Sequence, residues 1–295
     1  RRHLAARGYR EAITYSFVDP KLQRLFDPEL APVALANPIS ADMAVMRTSL
    51  LPGLVGAVLR NTKRQQPRTR LYETGLRFLP GADGLRQVPT LAMVVGGPRF
   101  AESWAVAAGQ AADFFDLKGD LESLFALTRD PAGVQFAAGE RAALHPGQTA
   151  AITRNGQSVG YIGALHPAAQ AALDLAAPLY VCEIDLEALL QGPLPRFTEL
   201  SRFPEVRRDL AVVVDKFVPA ADLLANVRAA AGSYLRDLRL FDVYEGKGID
   251  PKRKSVALGL TFRDHARTLS DEDVNLAVNQ VIDSLQKNFK AELRN

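Results

Sequence analysis

Two spacings of apolar residues alternate along the chain, one with a period near two and one near 3.6. EAITYSFV (11–18) and TRLYETGLRF (69–78) are rich in β-branched and aromatic residues and predict strands. TLAMVVGG (90–97) is a continuous apolar run, the pattern of a strand covered on both faces. TAAITRNGQSVGYIGAL (149–165) predicts a hairpin, with Asn155-Gly156 supplying the positive φ angles of a tight turn. YVCEIDL (180–186) adds a further strand. Helical spacing governs two stretches. SLLPGLVGAVLRNTKR (49–64) starts at Ser49 and sets Leu54, Val58 and Leu59 on one face, while DFFDLKGDLESLFALT (113–128) repeats Leu117, Leu121, Leu124 and Phe125. Strands outnumber helices, and the hairpin is antiparallel. This part therefore predicts an antiparallel sheet flanked by helices, an α+β layer.

QGPLPRFTELSRFPE (191–205) carries one Gly and three Pro, which break both periods and mark a linker. It divides the chain into 1–198 and 203–295. Beyond it, RDLAVVVD (208–215) predicts a strand and 219–231 a helix, capped near Asp215 with Pro219 in its first turn. Strands follow at 238–245 and 255–263. Ser270 and Asp273 form a capping-box start, and Val274, Ala277, Val278, Val281, Ile282 and Leu285 make the inner face of the helix behind it. AELR (291–294) closes as a short strand. The order β-α-β-β-α-β is that of the ferredoxin-like split βαβ fold.

Composition narrows the possibilities. The 295 residues suffice for two domains, and 47% hydrophobic residues suffice for two cores. No apolar run is long enough to predict a membrane span, and the single cysteine, Cys182, excludes an internal disulfide framework. His3, His145, His166 and His265 are too scattered for metal-ligand spacing. The net charge of +3 conceals a split: +7 over residues 1–80, −6 over 81–199 and +2 over 200–295. Such segregation marks either a face for a polyanion or complementary subunit, or solvated faces that differ by chance. RRHLAARGYR lacks the apolar core of a signal peptide and reads as the end of a helix running into a strand. The chain thus reads as a piece of a larger, cytoplasmic protein.

Candidate chemistry is sparse upstream. Gly53-x-x-Gly56 ending at Arg60 has glycine-to-arginine spacing used against ATP, but Leu59 stands where an acidic residue would be needed, so helix packing is the better account. Arg47, ten residues after Asn37-Pro38, reads as half of a structural salt bridge, and Phe114-Phe115 as core packing. No catalytic residue is assigned. Downstream, FDVYEGKGIDPKRKSVAL combines ingredients for single-stranded RNA. Alternation turns Asp242 and Tyr244 one way and Phe241 and Val243 the other, which puts Phe241 in the core. Tyr244 is then either a plain surface residue or a platform for a base. Asp242 and Ser255 can hydrogen-bond base edges. Arg207, Arg208, Lys252, Arg253 and Lys254 can neutralise phosphates.

These phrases also carry a resemblance. SRFPEVRRDLAVVVD and LFDVYEGKGIDPKRKSVALGLTFRDHARTLSDEDVN resemble the C-terminal anticodon-binding domain of bacterial phenylalanyl-tRNA synthetase β subunits. GYREAITYSFV, ANPISADMAVMRTSLLPGLV, DFFDLKGDLESL and VGYIGALHP resemble the catalytic-like module of the same subunits. The resemblance implies an antiparallel-sheet, class II synthetase-like module at 1–198, followed by the ferredoxin-like domain at 203–295. It implies anticodon contacts at Ala211, Asp242, Tyr244 and Ser255, with Tyr244 stacking on a base and Ala211 allowing its close approach. The implied partners are tRNA(Phe) and the α subunit, with neither DNA nor a membrane. Adenylation, with ATP and magnesium, would belong to the α subunit, leaving no cofactor or metal site in this chain. The family's editing and metal-linked segments would precede residue 1. The competing expectation is a free-standing RNA-binding or scaffold protein built on a ferredoxin-like module.

Overall fold

In a computed structural model, which describes residues 1–81, 84–105, 109–128, 133–194, 197, 199 and 201–294, the chain divides into two units, Arg1–Pro195 and Arg196–Asn295. Part of the predicted linker, including the boundary at 198, lies outside the described residues. The first unit begins α1 (Arg2–Ala6), β1 (Arg10–Glu11), β2 (Phe17–Val18), α2 (Pro20–Phe26), β3 (Val45–Met46) and α3 (Leu51–Thr62). Then come β4 (Thr69–Gly81), β5 (Gly84–Gly96), α4 (Phe114–Ala126), β6 (Val134–Ala138), β7 (Leu144–Arg154) and β8 (Gln157–Leu165). It ends with α5 (Pro167–Ala172), β9 (Leu179–Asp185) and α6 (Leu186–Leu190).

Seven of its strands form one sheet in the order β1-β4-β5-β9-β8-β7-β6, antiparallel except for β1 beside β4. The apolar run in β5 has the predicted cause. Leu91, Met93 and Val95 pack with Leu117, Leu121 and Phe125 of α4 on one face, while Ala92 and Val94 pack with Leu54, Val55 and Val58 of α3 on the other. The β7–β8 hairpin turns at Asn155 and Gly156, with φ of 50° and 80°.

Two expectations for this unit are corrected. EAITYSFV is not one strand: between β1 and β2 the Thr14 backbone N–H and hydroxyl donate to the Glu73 carboxylate, replacing ladder bonds. Phe115 is not core, being 72% exposed. The Asp113–Asp116 capping box fixes the start of α4. At 100° per residue Phe115 then lies roughly 200° from Leu117, on the solvent side. β6 was not foreseen in VQFAA, whose positions are all half-buried or exposed.

The second unit runs β10 (Val206–Asp215), α7 (Ala220–Ala230), β11 (Leu235–Tyr244), β12 (Arg253–Phe262), α8 (Asp271–Phe289) and β13 (Glu292–Leu293). Its antiparallel sheet has the order β11-β12-β10-β13, and the predicted β-α-β-β-α-β succession holds. Leu210, Val212 and Val214 of β10 and Val256, Leu258, Leu260 and Phe262 of β12 share a core with Leu223 and Val227 of α7 and Val274, Ala277, Val281 and Leu285 of α8. Both helices therefore lie on the face of the even-numbered positions. Ser270 and Asp273 make the expected reciprocal cap, with Ser270 Oγ accepting from Asp273 N at 3.2 Å and Asp273 Oδ2 accepting from Ser270 N at 2.9 Å. Asp215 does not cap α7: its carboxylate accepts from Phe217 N at 2.9 Å, and Pro219 takes the cap position without a side-chain bond.

Candidate nucleic-acid interface

The odd-numbered positions of β10 and β12 form the other face of the small sheet, and no helix of this unit packs against them among the described residues. Register aligns the candidates across three strands. Ala211 pairs with Ala257, which pairs with Asp242; Val213 pairs with Ser255, which pairs with Tyr244. Ala211, Asp242, Tyr244 and Ser255 therefore occupy two neighbouring rows of one face, with strands about 4.8 Å apart. Four residues separated by up to 44 positions in sequence are thus brought together by strand pairing alone.

Their surroundings differ. Asp242 is exposed and makes no side-chain hydrogen bond or ion pair with any described residue. Ser255 is buried. The Tyr244 hydroxyl donates to the Lys247 carbonyl at 3.1 Å, and Gly246 leaves the room its ring needs, since a Cβ there would lie 2.9 Å from the hydroxyl oxygen. Over the ring stands a residue that the sequence reading missed. The guanidinium carbon of Arg294 is 4.8 Å from the Tyr244 centroid, within cation–π range. Arg294 follows β13, where its backbone N–H donates to the Ala211 carbonyl at 2.9 Å. The small side chains of Ala211 and Ala257 lie between it and Tyr244. The signal was present in AELR, whose pairing opposite β10 sets Arg294 level with Ala211.

Phe241 departs from its expected place. A bulge between Leu240 and Asp242 inserts one residue into β11 opposite β12, so simple alternation fails there. Phe241 is 52% exposed and belongs to no core cluster.

The five basic candidates separate. Arg207 lies on the helix-free face and is paired with Asp209 at 2.9 Å. Arg208 points to the helix side and holds Asp271 at 2.7 Å, at the start of α8. Arg253 binds Glu292 and donates to the carbonyls of Val213 and Lys290 at 2.7 and 3.0 Å, tying β12 to the C-terminal segment. Lys254 Nζ donates to the Val218 carbonyl at 2.7 Å. Lys252 is exposed, and its ammonium meets no partner among the described residues.

In the first unit the polar side chains around α3 bond to one another. Arg47, 3% exposed, donates to Glu73 at 2.7 Å and to the Leu76 carbonyl at 2.9 Å, the structural ion pair expected of it. Glu183 accepts from Ser49 Oγ, Leu50 N and Tyr161 Oη at 2.9, 2.7 and 3.1 Å; burial pushes its carboxyl above the usual range. Burial, reinforced by Glu183, pushes the Tyr161 hydroxyl well up, which keeps it a neutral donor. Gly53 serves packing, because a Cβ there would lie 2.2 Å from Thr14 Oγ1. Among the described residues no three His, Cys, Asp or Glu side chains cluster as metal ligands, and no helix is long and apolar enough to cross a membrane.

Comparison with known proteins matches both units. Residues 1–186 match the model of the phenylalanyl-tRNA synthetase beta chain CLM domain, and residues 201–294 that of the ferredoxin-fold anticodon-binding domain. A phenylalanine–tRNA ligase beta subunit from Pseudomonas fluorescens is 53% identical over 294 residues, covering 100% of this chain and 37% of that protein. The namesake from Haemophilus influenzae is 48% identical over 289 residues, covering 97% and 36%. Among solved structures, a pyrrolysyl-tRNA synthetase from Desulfitobacterium hafniense aligns at a TM-score of 0.46 and 16% identity, covering 64% of this chain and 62% of that one. The chain spans little more than a third of the length of the curated relatives it matches. With a family model over residues 1–186 and the anticodon-binding model over 201–294, this chain belongs to the phenylalanyl-tRNA synthetase β-chain family.

Proposed function

We propose that the chain serves phenylalanyl-tRNA formation without performing the chemistry itself: the small sheet holds the tRNA(Phe) anticodon, and the first unit docks the catalytic α subunit. The observation that carries this reading is the convergence of Ala211, Asp242, Tyr244 and Ser255 on the helix-free face of a ferredoxin-fold anticodon-binding domain. On it, Tyr244 stacks on an unpaired base, the exposed Asp242 bonds a base edge, Ser255 is reached only by a base that displaces what buries it, and Ala211 leaves the floor low enough for the base to approach. Arg294 joins this set as a cation beside the Tyr244 ring. Lys252 remains the phosphate contact best supported by exposure, since Arg207 is paired with Asp209 beside the Phe241 ring and Arg208, Arg253 and Lys254 are bonded within the unit.

In this reading the polar groups around α3 hold the fold of the first unit, with Arg47 bonded to Glu73 and Ser49 to Glu183. ATP and magnesium would then act in the α subunit, and the assembly would work in the cytoplasm. The test is Tyr244→Ala against an anticodon stem-loop of tRNA(Phe). The variant loses about 1–3 kcal/mol of binding, the worth of one stacked base, with its melting temperature unchanged. Unaltered affinity would sink the stacking role. Co-purification with the α subunit checks the docking role, and a folded chain that fails to associate favours a free-standing RNA binder.

A further inference from the structure

Phe241 presents an apolar ring, 52% exposed, on the face that carries Tyr244, and packing in this unit does not account for it. The bulge makes Phe241 and Asp242 share a single partner on β12, Ala257, which turns both toward the helix-free face. Above the Phe241 ring lies Arg207, its guanidinium carbon 5.7 Å from the centroid. Asp209 steadies this arginine through Nε at 2.9 Å, and the guanidinium passes close over Gly259. A Cβ at Gly259 would come within 3.0 Å of Arg207 Nη2 and 3.3 Å of Asp209 Oδ1. The arrangement repeats that of Tyr244 beneath Arg294 at 4.8 Å. The face therefore carries two aromatic rings on one strand, each faced by an arginine arriving from the far side of β12, with Ala211, Ala257 and Gly259 keeping the floor between them low.

We propose that Phe241, with Arg207 over it, is a second base-stacking station of this face, taking another base of the single-stranded RNA segment that stacks at Tyr244. This rests on the reading of the face as an anticodon interface and extends it from one stacked base to two. Aromatic rings and guanidinium planes are the surfaces on which unpaired bases stack. Three residues of strand span about 10 Å, which is roughly three stacked-nucleotide steps and fewer in an extended strand, so one loop reaches both rings. Two stacking spacings of 3.4 Å exceed the present ring-to-guanidinium separation by roughly 1 Å. Arg207 can yield that much because a single exposed carboxylate holds it.

The experiment uses the 295-residue chain and a tRNA(Phe) anticodon stem-loop carrying 2-aminopurine at each loop position in turn. Phe241→Ala weakens binding about tenfold, as expected for one lost stack, and abolishes the fluorescence quench at one loop position. Tyr244→Ala abolishes the quench at a different position. Phe241→Leu keeps apolar bulk yet loses the same signal as the alanine variant, and Phe241→Tyr keeps it. Overturning results are equally defined. If Phe241→Ala and Phe241→Leu retain affinity and every quench while Tyr244→Ala loses its own, the second station does not exist and the anticodon reading survives. If Phe241→Leu melts well below the parent chain, Phe241 is a packing residue. If the parent chain fails to bind the stem-loop at all, the anticodon reading falls and this station falls with it.

Discussion

The two sheets of this chain treat their polar residues in opposite ways. The seven-stranded sheet is covered by α3 and its neighbours on one face and by α4 on the other, and the charges it buries are paired inside: Arg47 with Glu73, and Glu183 with a serine, a tyrosine and a backbone N–H. The four-stranded sheet is covered on one face only, and its bare face displays Phe241, Asp242, Tyr244 and Arg294. Buried polar groups left without partners are costly, and the closed sheet bonds most of its own to one another, with the Nε of Arg70 and Arg77 on β4 as exceptions among the described residues. An open face can keep donors, acceptors and rings in reserve for a ligand. Base recognition is therefore to be sought where the sheet is bare, and the first unit's buried polar network belongs to stability.

That contrast can be broken or sharpened by substitution. The largest effect falls in the closed sheet. Arg47→Ala leaves the Glu73 carboxylate, which is 2% exposed, with its Thr14 bonds but no counter-ion, and lowers the stability of the first unit by about 3–5 kcal/mol in urea unfolding. Replacing both partners, Arg47→Met with Glu73→Gln, restores part of the loss, because the amide oxygen still accepts from Thr14, and RNA binding is unaffected in either case. If Arg47→Ala instead weakened RNA binding in a fully folded chain, the division between closed and open sheets would be wrong.

On the open face, Ala211→Leu raises the floor between Arg294 and Tyr244. It reduces stem-loop affinity by about 1–3 kcal/mol, comparable to losing a stacked base, while the melting temperature stays put. The covered side of the same sheet responds the other way. Ser270→Ala removes the α8 cap and costs about 1 kcal/mol of stability, read in a thermal melt, without touching RNA affinity.

The smallest effect is one of pH. Hydrogen bonds from Arg267, then from the backbone and side chain of Ser270, hold the Asp273 carboxyl below the usual carboxylate range. A depressed native value means that the contribution is present above the unfolded pKa, near 3.9, and is lost as pH falls through the native one. Asp273→Asn should therefore melt earlier than the parent chain at pH 6, with the gap closing as the solution is acidified. A gap that persists at the acid end would show that the carboxylate's charge is not what the cap uses.

Much of this was legible in the linear pattern. The order of strands and helices in the second unit, the Ser270–Asp273 start of α8 and the inner-face positions behind it were readable, and so was Arg47 as half of an ion pair. Two of the misses, at Thr14 and Phe241, share a cause, a long-range contact that overruled a local rule, while Asp215 lost its cap to a neighbour two residues on. Glu73 drew Thr14 out of a strand that β-propensity predicted. The bulge reversed Phe241 after alternation had assigned it to the core. Asp215 bonded Phe217 N instead of capping α7. Arg294 stood too close to the end of a two-residue strand for periodicity to say which face it joins.

By itself, then, the sequence determined the order of elements and which residues carry apolar or polar side chains at periods of two and 3.6, because those periods are properties of the backbone. Tertiary structure decided which of those residues meet. Strand order brought Ala211, Asp242, Tyr244 and Ser255 into two neighbouring rows, a single inserted residue turned Phe241 outward, and chain reversal after α8 carried Arg294 back over Tyr244. Each of these depends on pairing between segments far apart in the chain, which local pattern does not encode.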